Sequence, residues 1–138
     1  MTVKNAKEIR DAFRKEAEFF AKWLSEREEV YILCTQELSG TWLHSRTYTS
    51  ELRILLLADI QITVSRVCFI NRRKGTMTAV LQWLEDFAKR NHIGKIVIQS
   101  VETDAMRCWC VKNGFHPNAS ASIEVGGKIY GDYVRTVQ

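Results

Sequence analysis

The chain has one proline in 138 residues and no apolar run longer than five, as in Ile54 to Ala58. A bilayer-spanning helix needs about 20 apolar residues, so no membrane span is expected. Disorder is excluded as well, because 46% of the residues are hydrophobic and such a composition can bury a core. There are only four cysteines, Cys34, Cys68, Cys108 and Cys110, each in or beside an apolar run. They read as reduced thiols rather than a disulfide framework. The opening MTVKNAKEIR lacks an apolar signal region, so a cytoplasmic protein is expected. No internal repeat, linker or low-complexity stretch interrupts the chain, and residues 1–138 are read as one domain.

Charge of one sign is also scarce, except in one place. The net charge is +4. Residues 66–95 hold seven basic and two acidic side chains, a surplus of five, and the remainder of the chain is nearly balanced. Such a local excess favours a local anionic ligand over a generally basic surface, and otherwise serves as a solvated face.

Hydrophobic periodicity predicts a helix over residues 4–27, with Ile9, Phe13, Ala17, Phe20 and Leu24 on one stripe. Val30–Thr35 and Thr41–Thr49 read as strands, the second rich in Thr and aromatics. Glu51–Ala58 fits a buried strand or a helical stretch, with strand preferred. Ile60–Ile70 is a strand, followed by a helix from about Gly75 to Asn91. Lys95–Val101 has the apolar faces of a parallel strand. Thr103 is placed to cap a second helix that ends at Asn113-Gly114. Residues 120–125 and 128–137 flank Gly126-Gly127 as a β-hairpin. The expected fold is α/β: a single mixed sheet with helices on both faces, a central parallel strand–helix–strand unit and a C-terminal hairpin.

The charge surplus surrounds the point where a strand gives way to a helix, at Arg72-Arg73-Lys74-Gly75. A helix N-terminus offers unpaired N–H groups and a positive dipole end. An anion is stabilised there, and glycine lets the backbone approach it. The alternative is an ordinary turn carrying exposed cations. The P-loop and dinucleotide fingerprints are absent, since no Gly-Lys-Ser/Thr and no G-x-G-x-x-G occurs.

Arg72 to Met77 resembles the acyl-CoA pyrophosphate loop of the GNAT acetyltransferase superfamily, Gln/Arg-x-x-Gly-x-Gly/Ala. Arg72 and Gly75 match, and Met77 departs from the small residue. Downstream, TDAMRCWCVKNGF (Thr103–Phe115) is similar to that family's second helix, which ends in aromatic-Tyr-x-x-x-Gly-Phe. Trp109, Gly114 and Phe115 match, and Cys110 takes the tyrosine place. Asn-Arg-Arg-x-Gly combined with Lys-Asn-Gly-Phe looks most like small acetyltransferase-like proteins of bacteriophages.

The resemblance implies acetyl-CoA as co-substrate, an amine of a protein or small molecule as acceptor, and direct attack without a covalent enzyme intermediate. It implies that Ser65 and Val67 offer strand backbone to the pantetheine arm. Arg72, Arg73, Lys74, Gly75, Thr76, Met77 and Thr78 would hold the pyrophosphate, with Thr103 completing the CoA-contacting set. A strand N–H near Val67 would polarise the thioester carbonyl. Cys110 would stand where the family's tyrosine protonates the departing thiolate. On its own residues it reads as a buried structural thiol.

The family's usual base positions fall on Gln61 and Ile98, which do not ionise, so Asp59 and Glu102 are the nearest carboxylate candidates. His44 is expected to be structural, His92 to lie at a helix end and His116 in a loop. Trp42, His44, Arg46 and Tyr48 alternate on one face of a predicted strand, either framing an acceptor groove or simply packing. Cys108 and Cys110 point to different faces of a helix, so no metal is expected. A nucleic-acid binder would need stacking aromatics beside the cations, which this sequence lacks. Two functional classes remain, an N-acyltransferase and a CoA-binding module that keeps the fold without turnover.

Overall fold

The computed structural model describes residues 5–57, 59–71 and 75–137. Arg72, Arg73 and Lys74 lie outside the described residues. Helix α1 spans Ala6–Glu28. Asn5 caps it, accepting the Glu8 N–H at 2.9 Å and donating to the Glu8 carboxylate. Its apolar stripe, Ile9, Phe13, Ala17, Ala21 and Leu24, is buried. It ends at Glu29, whose left-handed backbone turns the chain out of the helix.

Four antiparallel strands follow: β1 (Leu33–Gln36), β2 (Gly40–His44), β3 (Glu51–Leu57) and β4 (Gln61–Cys68). The ambiguous run from Glu51 is thus a strand, buried at alternate positions. A Cβ at Gly40 would collide with the Ile54 backbone oxygen, so β2 and β3 can meet there only with glycine. Helix α2 (Thr76–Arg90), strand β5 (Lys95–Val101), helix α3 (Asp104–Lys112) and the hairpin strands β6 (His116–Val125) and β7 (Lys128–Thr136) complete the chain.

These strands form one seven-stranded sheet in the order β1-β2-β3-β4-β5-β7-β6. Strands β4 and β5 are parallel, and every other pair is antiparallel. The mixed sheet, its parallel centre and its terminal hairpin match the sequence expectation. Strand β1 starts three residues later than expected, at Leu33, and two boundaries differ more. Strand β2 stops at His44 rather than Thr49, because Ser45–Ser50 closes a turn through Ser45 N–H to Ser50 O and Tyr48 N–H to Ser45 O. Strand β6 begins at His116, four residues early; Pro117 is accommodated because β6 is an edge strand.

The placement of the helices also differs from a two-sided arrangement. Register puts Leu43, Leu52, Ile54, Ile62, Val64, Ile96, Ile98 and Tyr133 on one face, and all of them join one core cluster with residues of α1, α2 and α3. Phe13 of α1 stacks on Trp83 of α2 at 4.9 Å and meets Phe87 edge-on at 5.0 Å. Arg135, in register with Ile96, pairs with Glu85 of α2 and donates to the Asn113 carbonyl after α3. The three described helices therefore share one face. The opposite face carries Trp42, His44, Glu51, Arg53 and Arg66. No described helix is long and apolar enough to cross a membrane.

Candidate functional site

The pair Val64↔Ile98 is the last between β4 and β5. Both strands continue past it, and both become irregular immediately after it. On β4, Ser65 is an extra residue opposite β3, and its hydroxyl donates to the Arg53 carbonyl at 3.3 Å. On β5, pairing with β7 slips between Ile98 and Val101. Ser100 there has φ +55 and its N–H donates to Asp132 Oδ1 at 2.9 Å. Bulges bend strands away from a neighbour. Residues 65–68 and 99–101 therefore flank an open wedge, with strand backbone on both sides.

The N-terminus of α2 lies after β4, at the same end. Gly75 has φ +73 and ψ 17, a left-handed conformation that glycine adopts freely. Among the described residues no side chain caps α2, and no acid occupies its first turn. The first intrahelical bond from this end is Ala79 N–H to Gly75 O, so the N–H groups of Thr76, Met77 and Thr78 have no intrahelical partner. Thr76 is only 4% exposed, and its Oγ1 has no hydrogen-bond partner among the described residues. The Met77 side chain packs against the core. Thr78 is exposed and receives the Trp109 indole N–H at 3.4 Å, which ties the start of α2 to α3.

The stem of this loop is held from α1 by a residue that sequence reasoning passed over. Glu28 is 3% exposed. Its Oε1 accepts the Ile70 N–H at 2.8 Å and the Ser50 hydroxyl at 2.9 Å; its Oε2 accepts the Asn71 N–H at 2.8 Å. The Asn71 amide donates back to the Arg27 carbonyl at 3.0 Å. In the sequence Glu28 belongs to a charge-rich helix end that looks solvated. Its burial depends on partners some 40 positions away, which no local pattern marks.

Cys110 is fully buried in the core, and burial pushes its thiol up to about 12. A thiol so reluctant to ionise packs well but exchanges protons poorly near neutral pH. Cys108, two residues away, is exposed. Thr103 caps α3 through Oγ1, accepting the Met106 N–H at 3.2 Å. Glu102 is exposed at the wedge end of β5, whereas Asp59 sits in the β3–β4 turn, at the other end of β4. The two carboxylates are thus not brought together. Glu102 borders a hollow of about 250 Å³ shared with Ser100, Ser122, Ile123 and Tyr130. The Tyr130 hydroxyl donates to Asp104 Oδ1 at 2.6 Å, and this bond raises the phenol pKa and lowers that of the carboxyl.

On the open face, Trp42, His44 and Tyr48 form a connected ring cluster, with His44 and Tyr48 stacked at 4.6 Å. His44 is buried, and its two ring nitrogens engage the Thr35 hydroxyl and the Ser45 carbonyl, each at 3.0 Å. Arg46 is exposed beside them. Glu51, at the wedge end of β3 and in register with Cys68, is buried. It accepts from Arg66 Nε and Trp42 Nε1, each at 3.0 Å. Arg53 lies over the Trp42 ring and pairs with Glu37 at 2.8 Å. His92 is exposed just past α2, and His116 is exposed at the start of β6 rather than in a loop.

No family sequence profile and no curated protein sequence matches this chain. Solved structures do. A provisionally assigned N-acetyltransferase from Lactobacillus plantarum aligns with a TM-score of 0.51 and 16% identity, over 72% of this chain and 68% of that one. A provisionally assigned acetyltransferase from Agrobacterium tumefaciens aligns with a TM-score of 0.50 and 16% identity, over 99% and 96%. A GNAT-family acetyltransferase from Staphylococcus aureus Mu50 aligns with a TM-score of 0.50 and 10% identity, over 72% and 68%. At these identities the likeness is one of fold: this chain has the fold of GNAT acetyltransferases.

Proposed function

We propose that this protein is an N-acyltransferase that moves an acetyl group from acetyl-CoA to an amine of a protein or small molecule. One observation carries the reading. The β4–β5 ladder ends at Val64↔Ile98, and the uncapped N-terminus of α2, with Gly75 left-handed, follows β4 at the same end. An extended pantetheine arm fits the wedge as an added strand along Ser65 and Val67. The diphosphate fits the N–H groups of Gly75, Thr76, Met77 and Thr78, joined by Arg72, Arg73 and Lys74. Thr103, committed to its own helix, stands at the edge of that set.

The amine nitrogen bonds to the acyl carbon, the carbon–sulfur bond breaks, and the thiolate leaves. Gln61, Ile98 and the buried Cys110 offer no proton exchange near pH 7, so water takes the amine's proton and returns one to the thiolate. Glu102 and Tyr130 border the same end and orient that water. The open sheet face, with Trp42, Tyr48 and Glu51, receives the acceptor. The narrower likeness to bacteriophage proteins, from Asn71–Gly75 and Lys112–Phe115, would make a host component the acceptor.

A second reading, a CoA-binding module without turnover, draws on the non-ionising Gln61 and Ile98 at the family's usual base positions and on the Cys110 thiol, raised to about 12. Titration with acetyl-CoA and desulfo-CoA tests both readings at once. Tight binding of both ligands is expected, with release of free thiol when an amine panel is added. Binding without thiol release establishes the module. Binding of neither ligand overturns both.

A further inference from the structure

The outer side of α1 carries a pattern that the candidate site does not use. Lys15, Phe19, Lys22 and Glu26 follow one another at three- and four-residue steps, so they share one face, and all are exposed. The Phe19 ring is 71% exposed. Beside it lies a hollow of about 310 Å³ lined by Glu16, Phe19, Phe20, Trp23 and Trp83. Its rings are already ordered, since Phe20 stacks on Trp83 at 4.5 Å and tilts against Trp23 at 5.1 Å. Glu16 is taken up by the Trp83 indole and by Arg90, so the hollow suits an apolar knob rather than a cation. The charges around Phe19 alternate in sign: Lys15, Glu18, Lys22, Glu26. Among the described residues none of these four enters an ion pair, and Lys22 lies instead over the Phe19 ring at 5.7 Å. A second α1 laid antiparallel on this face would set Lys15 against Glu26 and Glu18 against Lys22, each twice, and Phe19 against Trp23. All three pairings are centred within half a residue of the Phe20–Ala21 bond.

We propose that this face of α1 docks a second copy of the chain, the two α1 helices packing antiparallel about a two-fold axis, with Phe19 of each copy in the hollow of the other. A two-fold perpendicular to α1 brings like sides together, so the aromatic side meets the aromatic side and the Glu18 side meets the Glu18 side. Knob and hollow lie next to each other on one chain, which is what a self-complementary contact needs. A stripe of alternating sign suits neither a lipid surface nor a partner of single charge. One helix and one hollow per copy make a small interface. Interfaces below about 1,200 Å² belong to transient encounters, so a Kd on the order of 10 μM is expected. The inference is independent of the acetyl-CoA reading.

The test is sedimentation velocity of the full chain over a concentration series at low salt, with melting temperature as the check on folding. The wild type is expected to pass from monomer to dimer. Phe19→Asp should weaken self-association at least about tenfold while keeping the melting temperature, because the ring is exposed in the monomer. Lys15→Glu and Glu26→Lys each set like charges against one another twice, and each should weaken the dimer roughly tenfold. An equimolar mixture of these two variants restores opposite charges at both places. Dimers should return in it, and native mass spectrometry should find one copy of each variant. A wild type that stays monomeric up to about 200 μM overturns the proposal. A dimer indifferent to Phe19→Asp, or a mixture that associates no better than its components, also overturns it, because another surface or orientation would then be in use. Assemblies larger than a dimer would mean a head-to-tail contact and overturn the two-fold. Should Phe19→Asp fail to fold, the mixture decides.

Discussion

Glu28 Oε2 accepts the backbone N–H of Asn71 at 2.8 Å across 43 positions of sequence. With the bond from Ile70 it fixes the last two described residues before the basic turn. The end of one helix thereby sets where the next helix can begin.

The first prediction follows from that contact. Glu28→Ala leaves two backbone N–H groups and the Ser50 hydroxyl without an acceptor. Each lost partner at a buried group costs about 1–3 kcal/mol. The expected loss is at least about 2 kcal/mol, read from the urea midpoint at constant slope. A midpoint within error of the wild type would mean that water replaces the carboxylate at no cost.

Gly75 allows a comparison of charge at nearly constant shape. Asn and Asp both tolerate left-handed backbone better than other side chains. Gly75→Asn and Gly75→Asp should therefore fold alike, and only the carboxylate should repel a diphosphate. Acetyl-CoA affinity is expected to fall at least tenfold further in Gly75→Asp, on the scale of one unfavourable charge in a partly screened site. Equal affinities in the two variants would move the anion away from this turn.

Cys110 packs in the core and is not expected to drive chemistry. Cys110→Ala should lower stability by about 1 kcal/mol and leave turnover per folded molecule within a few-fold. A loss beyond about a hundredfold, with CoA binding intact, would assign it the acid role after all. Cys110→Tyr restores the residue seen at that place in the resembled family, but this side chain has no free volume. That variant should be less stable and no faster.

The thiols also set a pH limit. Burial raises Cys110 to about 12 and Cys34 to about 11, above the ordinary value of 9.0. The folded state therefore holds these protons more tightly than the unfolded chain. Their contribution is complete below pH 9, and it declines as pH rises through 11 and 12. Stability should fall with a steeper slope above pH 9 in the wild type than in Cys110→Ala. At neutral pH a thiol reagent should modify Cys68 and Cys108, which are exposed, well before Cys34 and Cys110. Equal rates for all four would contradict the burial.

Much of the frame was legible because its signals are local. Lys95–Val101 has the bounds its sequence indicates, and Thr103 caps α3 as its position before Asp104 implies. What escaped depends on contacts between distant segments. The shared face of the three helices follows from strand register, which hydrophobic alternation within a strand does not set. The end of β2 at His44 depends on the Ser45–Ser50 turn, where Tyr48 adopts φ +59. Tyr48 is an improbable residue for that conformation, and its stack on His44 goes with it. The reading of the basic turn as an anion site rests on the sequence and the helix-dipole argument, since Arg72, Arg73 and Lys74 lie outside the described residues. Glu28 could not be found that way, because the Ile70 and Asn71 N–H groups that hold it lie 42 and 43 positions later.

The sheet order carries a consequence for how the protein is made. Strand β7 is synthesised after β6, yet it lies between β5 and β6. While the chain grows, β6 has no edge to join, because its only partner in the sheet does not yet exist. The outer edge of β5 also stays open until β7 slots in, after which β7 pairs on both sides. A segment that inserts last between two waiting strands closes long-range contacts late, which slows folding and exposes unpaired edges. During translation, protection of those two edges falls to whatever binds nascent strands.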